Sequence, residues 1–238
     1  LPVAQDATML LLFDIDGTLL GQASTAHAEA LHVAIREVHG IDVAATARVS
    51  LSPAGRTDGE IARALLLING ISARRIDERA VDVRLACCEA YARLCPLDLS
   101  DKVLPGIPEL LAELEGRDDV LLSLVTGNYE PIARLKLGRA GIGRHFASRQ
   151  GGFGSDAEDR AMLPGIARKR AGQDGIAFPR KRTIVIGDTP RDIACARADD
   201  LRCFAVATGP FGVDELTGAD GVAADAAQLR ALLEDVLA

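Results

Sequence analysis

Three carboxylates in this chain stand where carboxylates need a reason. Asp14 directly follows the apolar run Met9–Phe13, Asp16 comes two residues later in Asp14-Ile15-Asp16-Gly17-Thr18-Leu19, and Asp188 follows Ile186-Gly187. A short, wholly apolar run is the pattern of a strand buried on both faces. In a doubly wound sheet, ligands bind beyond the carboxyl ends of such strands. If the strands before Asp14 and Asp188 are neighbours, three acidic groups converge on one crevice. Carboxylates brought that close repel one another unless they are protonated or bridged by a cation. A hard divalent ion resolves the repulsion, and oxygen ligands suit magnesium. The bland alternative, that Asp-rich turns simply cap helices, stays open for Asp192 taken alone. For the Asp14 and Asp16 pair it is weak, because their mutual repulsion asks for a compensating use.

The elements that must position these groups follow from the apolar pattern. Runs like the first recur at 120–125, 183–186 and 203–207. Each ends in a polar or glycine-bearing turn and precedes a helical pattern, which predicts a parallel sheet covered on both faces. The stretch 21–102 reads differently, as helix almost throughout. A first helix is predicted over 24–39, with Ser24 as N-cap and Gly40 closing it. A second starts at Thr57, where Thr57 and Glu60 have capping-box spacing, and ends near Asn69-Gly70. A third spans 73–94, before Pro96. The chain re-enters the sheet near Pro105-Gly106, with Pro108 suited to the first turn of the next helix. The predicted fold class is α/β, a doubly wound, Rossmann-like parallel sheet built from 1–20 and 103–238. An all-helical domain at 21–102 is inserted into it.

Composition narrows the function classes. The chain has 238 residues, 48% of them hydrophobic, which is enough for a substantial buried core. Its net charge of −7 argues against nucleic acid and anionic membrane as partners, though not against a small anionic substrate met in one cleft. No apolar run approaches the length of a membrane span. No basic stretch followed by an apolar signal region opens the sequence, so a cytoplasmic location is the expectation. The cysteines Cys87, Cys88, Cys95, Cys195 and Cys203 are odd in number and lack CxxC spacing, which points to buried free thiols. The basic clusters Arg168-Lys169-Arg170 and Arg180-Lys181-Arg182 are expected to be solvated surface. His27, His32 and His39 are expected on the surface or in the core of the helical domain rather than as metal ligands.

Taken together, the motifs resemble those of the haloacid dehalogenase-like superfamily. Asp14-Ile15-Asp16-Gly17-Thr18 is similar to its first motif, DxDGT. Val125-Thr126-Gly127-Asn128 resembles the second, and Ile186-Gly187-Asp188-Thr189-Pro190-Arg191-Asp192 the fourth. The helical insertion is similar to the superfamily's C1 cap. The resemblance implies a phosphatase in which Asp14 attacks phosphorus and forms an aspartyl-phosphate. Asp16 would serve as general acid and base. Magnesium would be held by Asp14, Asp188 and the backbone carbonyl of Asp16, with Asp192 orienting that set. Thr126 and Gly127 would hold the phosphate oxygens, and Asn128 would shape their loop.

The third motif, which supplies a cation to bridge nucleophile and phosphate, has no clean Lys-Pro signature here. Arg160 is the candidate and Lys169 the alternative. Gly151-Gly152-Phe153-Gly154 reads as a flexible active-site loop or as simple turn material. In the helical insertion, Arg56 of Gly55-Arg56-Thr57-Asp58 is a candidate to meet a carboxylate or hydroxyl of a small phosphorylated metabolite such as phosphoglycolate. Two other readings compete with the hydrolase: a phosphomutase like β-phosphoglucomutase, and a phosphate-binding or regulatory protein without turnover. The oligomeric state is left open by the sequence.

Overall fold

Alternation within each apolar run decides which layer its side chains enter. A computed structural model describes residues 8–21, 25–43 and 52–237. In strand β1 (Met9–Phe13), Met9, Leu11 and Phe13 enter one buried cluster while Leu10 and Leu12 enter the other. The same division holds in β4 (Thr183–Gly187), where Ile184 and Ile186 face away from Val185. Such two-sided burial requires layers of helix on both faces of the sheet.

The sheet has six parallel strands in the order β3-β2-β1-β4-β5-β6. The remaining strands are β2 (Val120–Thr126), β3 (Gly152–Phe153), β5 (Arg202–Val206) and β6 (Gly221–Ala223). β1 lies between β2 and β4, with Phe13 opposite both Leu124 and Ile186. The strands feeding Asp14 and Asp188 are therefore neighbours, as the crevice requires. Strand β3 gives one sequence expectation more form. Gly151 to Gly154 are all buried, with Gly151 in a bend and Gly154 in a turn on either side of the short strand, where Phe153 pairs with Thr126. A Cβ on Gly152 would overlap the Leu163 carbonyl, so the backbone is glycine-bearing because a helix packs directly on it.

Helices α1 (Thr25–His39), α2 (Asp58–Ile68) and α3 (Ala73–Leu94) form the inserted segment. The N-cap expected at Ser24 lies outside the described residues. Thr57 caps α2 by accepting from the Glu60 amide at 3.1 Å. The expected reciprocal half is replaced, because the Glu60 carboxylate pairs with Arg56 instead. Ala30, Ile35, Leu65, Val83 and Tyr91 of these helices belong to the same buried cluster as Phe13 and Leu124 of the sheet. Helices α4 (Ile107–Glu115), α5 (Glu130–Arg139), α6 (Leu163–Ala171), α7 (Pro190–Ala198) and α8 (Ala226–Leu237) complete the layers around the sheet. Among the described residues no helix is long and apolar enough to cross a membrane. All five cysteines are free thiols.

In the two basic clusters Lys169, Arg170, Arg180 and Lys181 are exposed as expected, and Arg168 is the correction. Arg168 is buried, with its guanidinium forked onto Asp199 at 2.7 and 2.9 Å, and Arg180 reaches the same carboxylate at 2.9 Å. Asp199 titrates below the usual carboxylate range: burial pushes it up, but the Arg168 and Arg180 hydrogen bonds and charges prevail. Removing the carboxylate would strand a buried cation. Asp199→Ala is therefore expected to cost about 3–5 kcal/mol of stability, measured by urea unfolding at neutral pH.

Candidate active site

Each acidic turn begins where a strand of the sheet stops. The Asp14 amide donates to the Ile186 carbonyl at 2.8 Å, which extends the β1–β4 pairing by one residue and aims both turns to the same side. Oxygens of Asp14, Asp188 and Asp192 lie within 4.8 Å of one another, and all three residues are buried. Two glycines make room for this. Gly17 has φ 91°, and a Cβ there or on Gly209 would occupy the space of the Asp188 carboxylate. The glycine of the first motif is thus required twice, by its left-handed backbone and by the acid packed against it. Thr18 donates its hydroxyl to Asp188 at 3.3 Å, and Thr208 donates to the Gly17 carbonyl at 2.6 Å.

The charge balance is deficient. Asp14 is pushed up to about 6 by burial, helped by Asp192 and Asp16 and opposed by the Arg160 guanidinium. Asp188 is pushed up to about 8 by burial and by the charges of Asp14 and Asp192. Arg160 is buried, lies 3.4 Å from Asp14 and pairs closely with Asp192. One guanidinium cannot neutralise three carboxylates. An all-oxygen acidic set with unmet negative charge fits a hard divalent cation. Asp192 is already committed on both oxygens, to Arg160 on one and to the Thr189 amide (3.0 Å) and hydroxyl (2.7 Å) on the other. That capping box fixes the start of α7 and with it the place of the acid.

The other named residues fall around the same cleft, whose volume is about 870 Å³. Thr126 ends β2, and Thr126, Gly127 and Asn128 line the cleft beside Asp14 and Arg160. Gly127 touches the inserted segment: its carbonyl accepts from the Asp58 amide at 2.9 Å, and a Cβ on it would run into the Arg56 carbonyl. Gly127→Ala is expected to force the Arg56-Thr57 loop off the core. The cost would be about 1–3 kcal/mol, with a loss of turnover larger than the loss of stability. Kinetics beside thermal melting would check this. Arg56 lines the cleft as well, pairing with Glu60 and donating from Nε to the Ser52 carbonyl at 3.2 Å. Lys169 is exposed on α6, well outside the carboxylate cluster, whereas Arg160 sits in it.

Asp16 departs from the others. Its carboxylate turns away from the three-acid cluster and accepts from Lys136 at 2.6 and 2.8 Å and from Asn128 at 2.9 Å. Burial pushes Asp16 up, yet the Lys136 and His27 charges and these hydrogen bonds hold it below the usual carboxylate range. Lys136 went unnoticed in the sequence. The signal was present: the buried positions of α5 are 132, 133, 136 and 137, so Lys136 lies on the apolar stripe of its helix. A lysine there is fully buried only when paired. His27 is a core residue of the inserted segment, bonded to Lys136 and Asp58.

The fold has counterparts among solved structures. A hydrolase from Pseudomonas syringae superposes with a TM-score of 0.67 at 22% identity, covering 96% of this chain and 99% of that one. CbbY from Rhodobacter sphaeroides, in complex with phosphate, gives 0.65 at 23% identity over 93% and 96%. β-Phosphoglucomutase from Clostridium difficile gives 0.67 at 19% identity over 97% and 96%. At these identities the likeness is one of fold. No curated protein matches the chain. The family model described as haloacid dehalogenase-like hydrolase matches residues 11–197, which span both acidic turns and the helices between them. On that match, this chain belongs to the haloacid dehalogenase-like hydrolases.

Proposed function

We propose that the protein is a magnesium-dependent phosphatase of small organic phosphomonoesters that works through an aspartyl-phosphate on Asp14. The observation that carries this reading is the convergence of Asp14, Asp188 and Asp192 at the strand ends, with Arg160 against Asp14. Asp14 attacks phosphorus in line, the ester P–O bond breaks, and its electron pair goes to the leaving oxygen, which takes a proton from Asp16. Asp16 then accepts a proton from water as that water attacks phosphorus, releasing phosphate and restoring Asp14. An arriving phosphoryl dianion adds negative charge beside Asp16 and raises its affinity for the proton it must donate.

Thr126 and Gly127 hold non-bridging phosphate oxygens, Asn128 aims Asp16, and Arg160 bridges nucleophile and phosphate. Asp14, Asp188 and the Asp16 carbonyl would hold magnesium, with Asp192 orienting Arg160 and the start of α7. When bound, the ion supplies positive charge against the transferring group. The helical segment 21–102 acts as a cap over this core, and the Arg56 N–H groups left over from Glu60 and Ser52 meet a hydroxyl or carboxylate of the leaving group. The free thiols fit a reducing cytoplasm.

A phosphomutase is the second reading, because relatives of this fold include a β-phosphoglucomutase and a CbbY in complex with xylulose-1,5-bisphosphate. A mutase must also hold a second phosphate. Of the arginines lining the cleft, Arg160 faces the acids and Arg56 has part of its charge taken by Glu60, so a second phosphate dianion would meet only the remaining Arg56 N–H groups, which favours hydrolysis. Phosphate release from a panel including phosphoglycolate and sugar phosphates, with and without magnesium, tests the choice. Isomerisation of a sugar phosphate with little free phosphate would establish the mutase, and no magnesium-dependent turnover of any ester would remove both.

A further inference from the structure

We infer that Lys136 is a positioning residue that holds Asp16 toward the leaving group, and that the inserted helices complete its cage through His27 and Asp58. The inference rests on the phosphatase reading above. Lys136 has no exposed surface, and an ammonium offers three protons. Three different side chains accept them: Asp16 at 2.6 Å, the Asn128 Oδ1 at 2.8 Å and the His27 Nδ1 at 3.1 Å. Donation to Nδ1 leaves the His27 proton on Nε2, which donates to Asp58 at 3.0 Å. The same Asp58 oxygen accepts from the Tyr129 amide at 2.7 Å. Asn128, oriented by Lys136, turns its amide nitrogen to Asp16 at 2.9 Å.

The network therefore runs from Asp16 in the first acidic turn, through α5 of the core, to α1 and the first residue of α2. Lys136, Asn128, His27 and the Tyr129 amide all find acceptors within it, so the set favours a single arrangement. Asp16 is the only member of this network belonging to the first motif, and its side chain is 29% exposed, toward the cleft, while Lys136 is sealed behind it. A buried cation needed only for stability would be served by a carboxylate anywhere along α5. This one instead shares its protons among the residue that handles the leaving group, the loop beside it and the cap.

The test is leaving-group dependence. An alkoxide needs a proton to depart, whereas p-nitrophenolate leaves without one. Lys136→Met is expected to lower kcat/KM for an alkyl phosphate, which reports the steps up to leaving-group departure, by about 10²-fold, the usual worth of a positioned acid. The same variant should lower kcat/KM for p-nitrophenyl phosphate by less than about fivefold, while kcat for both esters falls wherever hydrolysis of their common aspartyl-phosphate, which also uses Asp16, limits turnover. His27→Asn, which alters the cap side and leaves Lys136 its other acceptors, should show the same selectivity at about tenfold, and it serves if Lys136→Met does not fold. Equal losses in kcat/KM on both esters in a folded variant would overturn the inference and leave the phosphatase reading standing. A wild-type protein inactive on both esters with magnesium would overturn the reading, and the inference with it.

Discussion

Asp14→Asn is expected to abolish phosphate release, by at least about 10³-fold in kcat, because the amide cannot form the acyl phosphate. The fold should survive this change. Asp14 is buried among acids, with Asp192 and Asp16 both raising its proton affinity, and an uncharged isostere relieves that repulsion. The metal-free variant should therefore melt no lower than wild type at pH 8. Loss of turnover with retained stability identifies a group acting on substrate. Turnover within tenfold of wild type would mean that another residue attacks phosphorus, or that no covalent step occurs.

Asp188→Asn should separate metal binding from folding. Asp14 and Asp188 titrate near 6 and 8 in the folded metal-free protein, well above unfolded carboxylates. Between about pH 4 and pH 8 the folded state thus binds more protons than the unfolded one, and stability falls as pH rises through that window. Metal-free wild type is expected to lose melting temperature steadily from pH 5 to pH 8, and magnesium should restore it most at the upper end, where fewer protons compete. In Asp188→Asn the pH slope flattens, because its largest contributor is gone. The metal-free melting temperature at pH 8 should rise by about 3–6 °C, as relief of 1–2 kcal/mol does in a domain of this size. Addition of magnesium should then give less than about 1 °C. Calorimetry across pH with and without the ion measures all three. A flat profile in wild type would show that the two acids do not share the strain that the geometry assigns them.

Lys136 shows why part of the site was hidden in the sequence. Its partners Asp16, His27 and Asn128 lie 120, 109 and 8 residues away. No short motif contains such a set, and the lysine's position on a buried helical stripe was the only local sign. The burial of Arg168 was hidden for a related reason. Arg168 looks solvated until Asp199, 31 residues later, comes to lie beneath it. Glu60 has capping-box spacing to Thr57, yet Arg56 competes for its carboxylate and wins. In each case a local preference worth about a kcal/mol gave way to a charged partner brought in by the fold.

What the sequence alone determined was everything with a short period or a short motif. The strands at Met9–Phe13 and Val120–Thr126, the helix Ala73–Leu94 and the placing of Asp14 and Asp188 at strand ends all follow from runs of neighbouring residues. Burial on both faces demands apolar continuity, and a change to acid marks its end. Only the tertiary structure decided which acids meet and which cation serves which acid. Asp192 joins Asp14 and Asp188, Arg160 stands against the first pair and Lys136 against Asp16. Electrostatic partnership depends on distance in space and on exclusion of water, and chain order encodes neither until the strands are aligned.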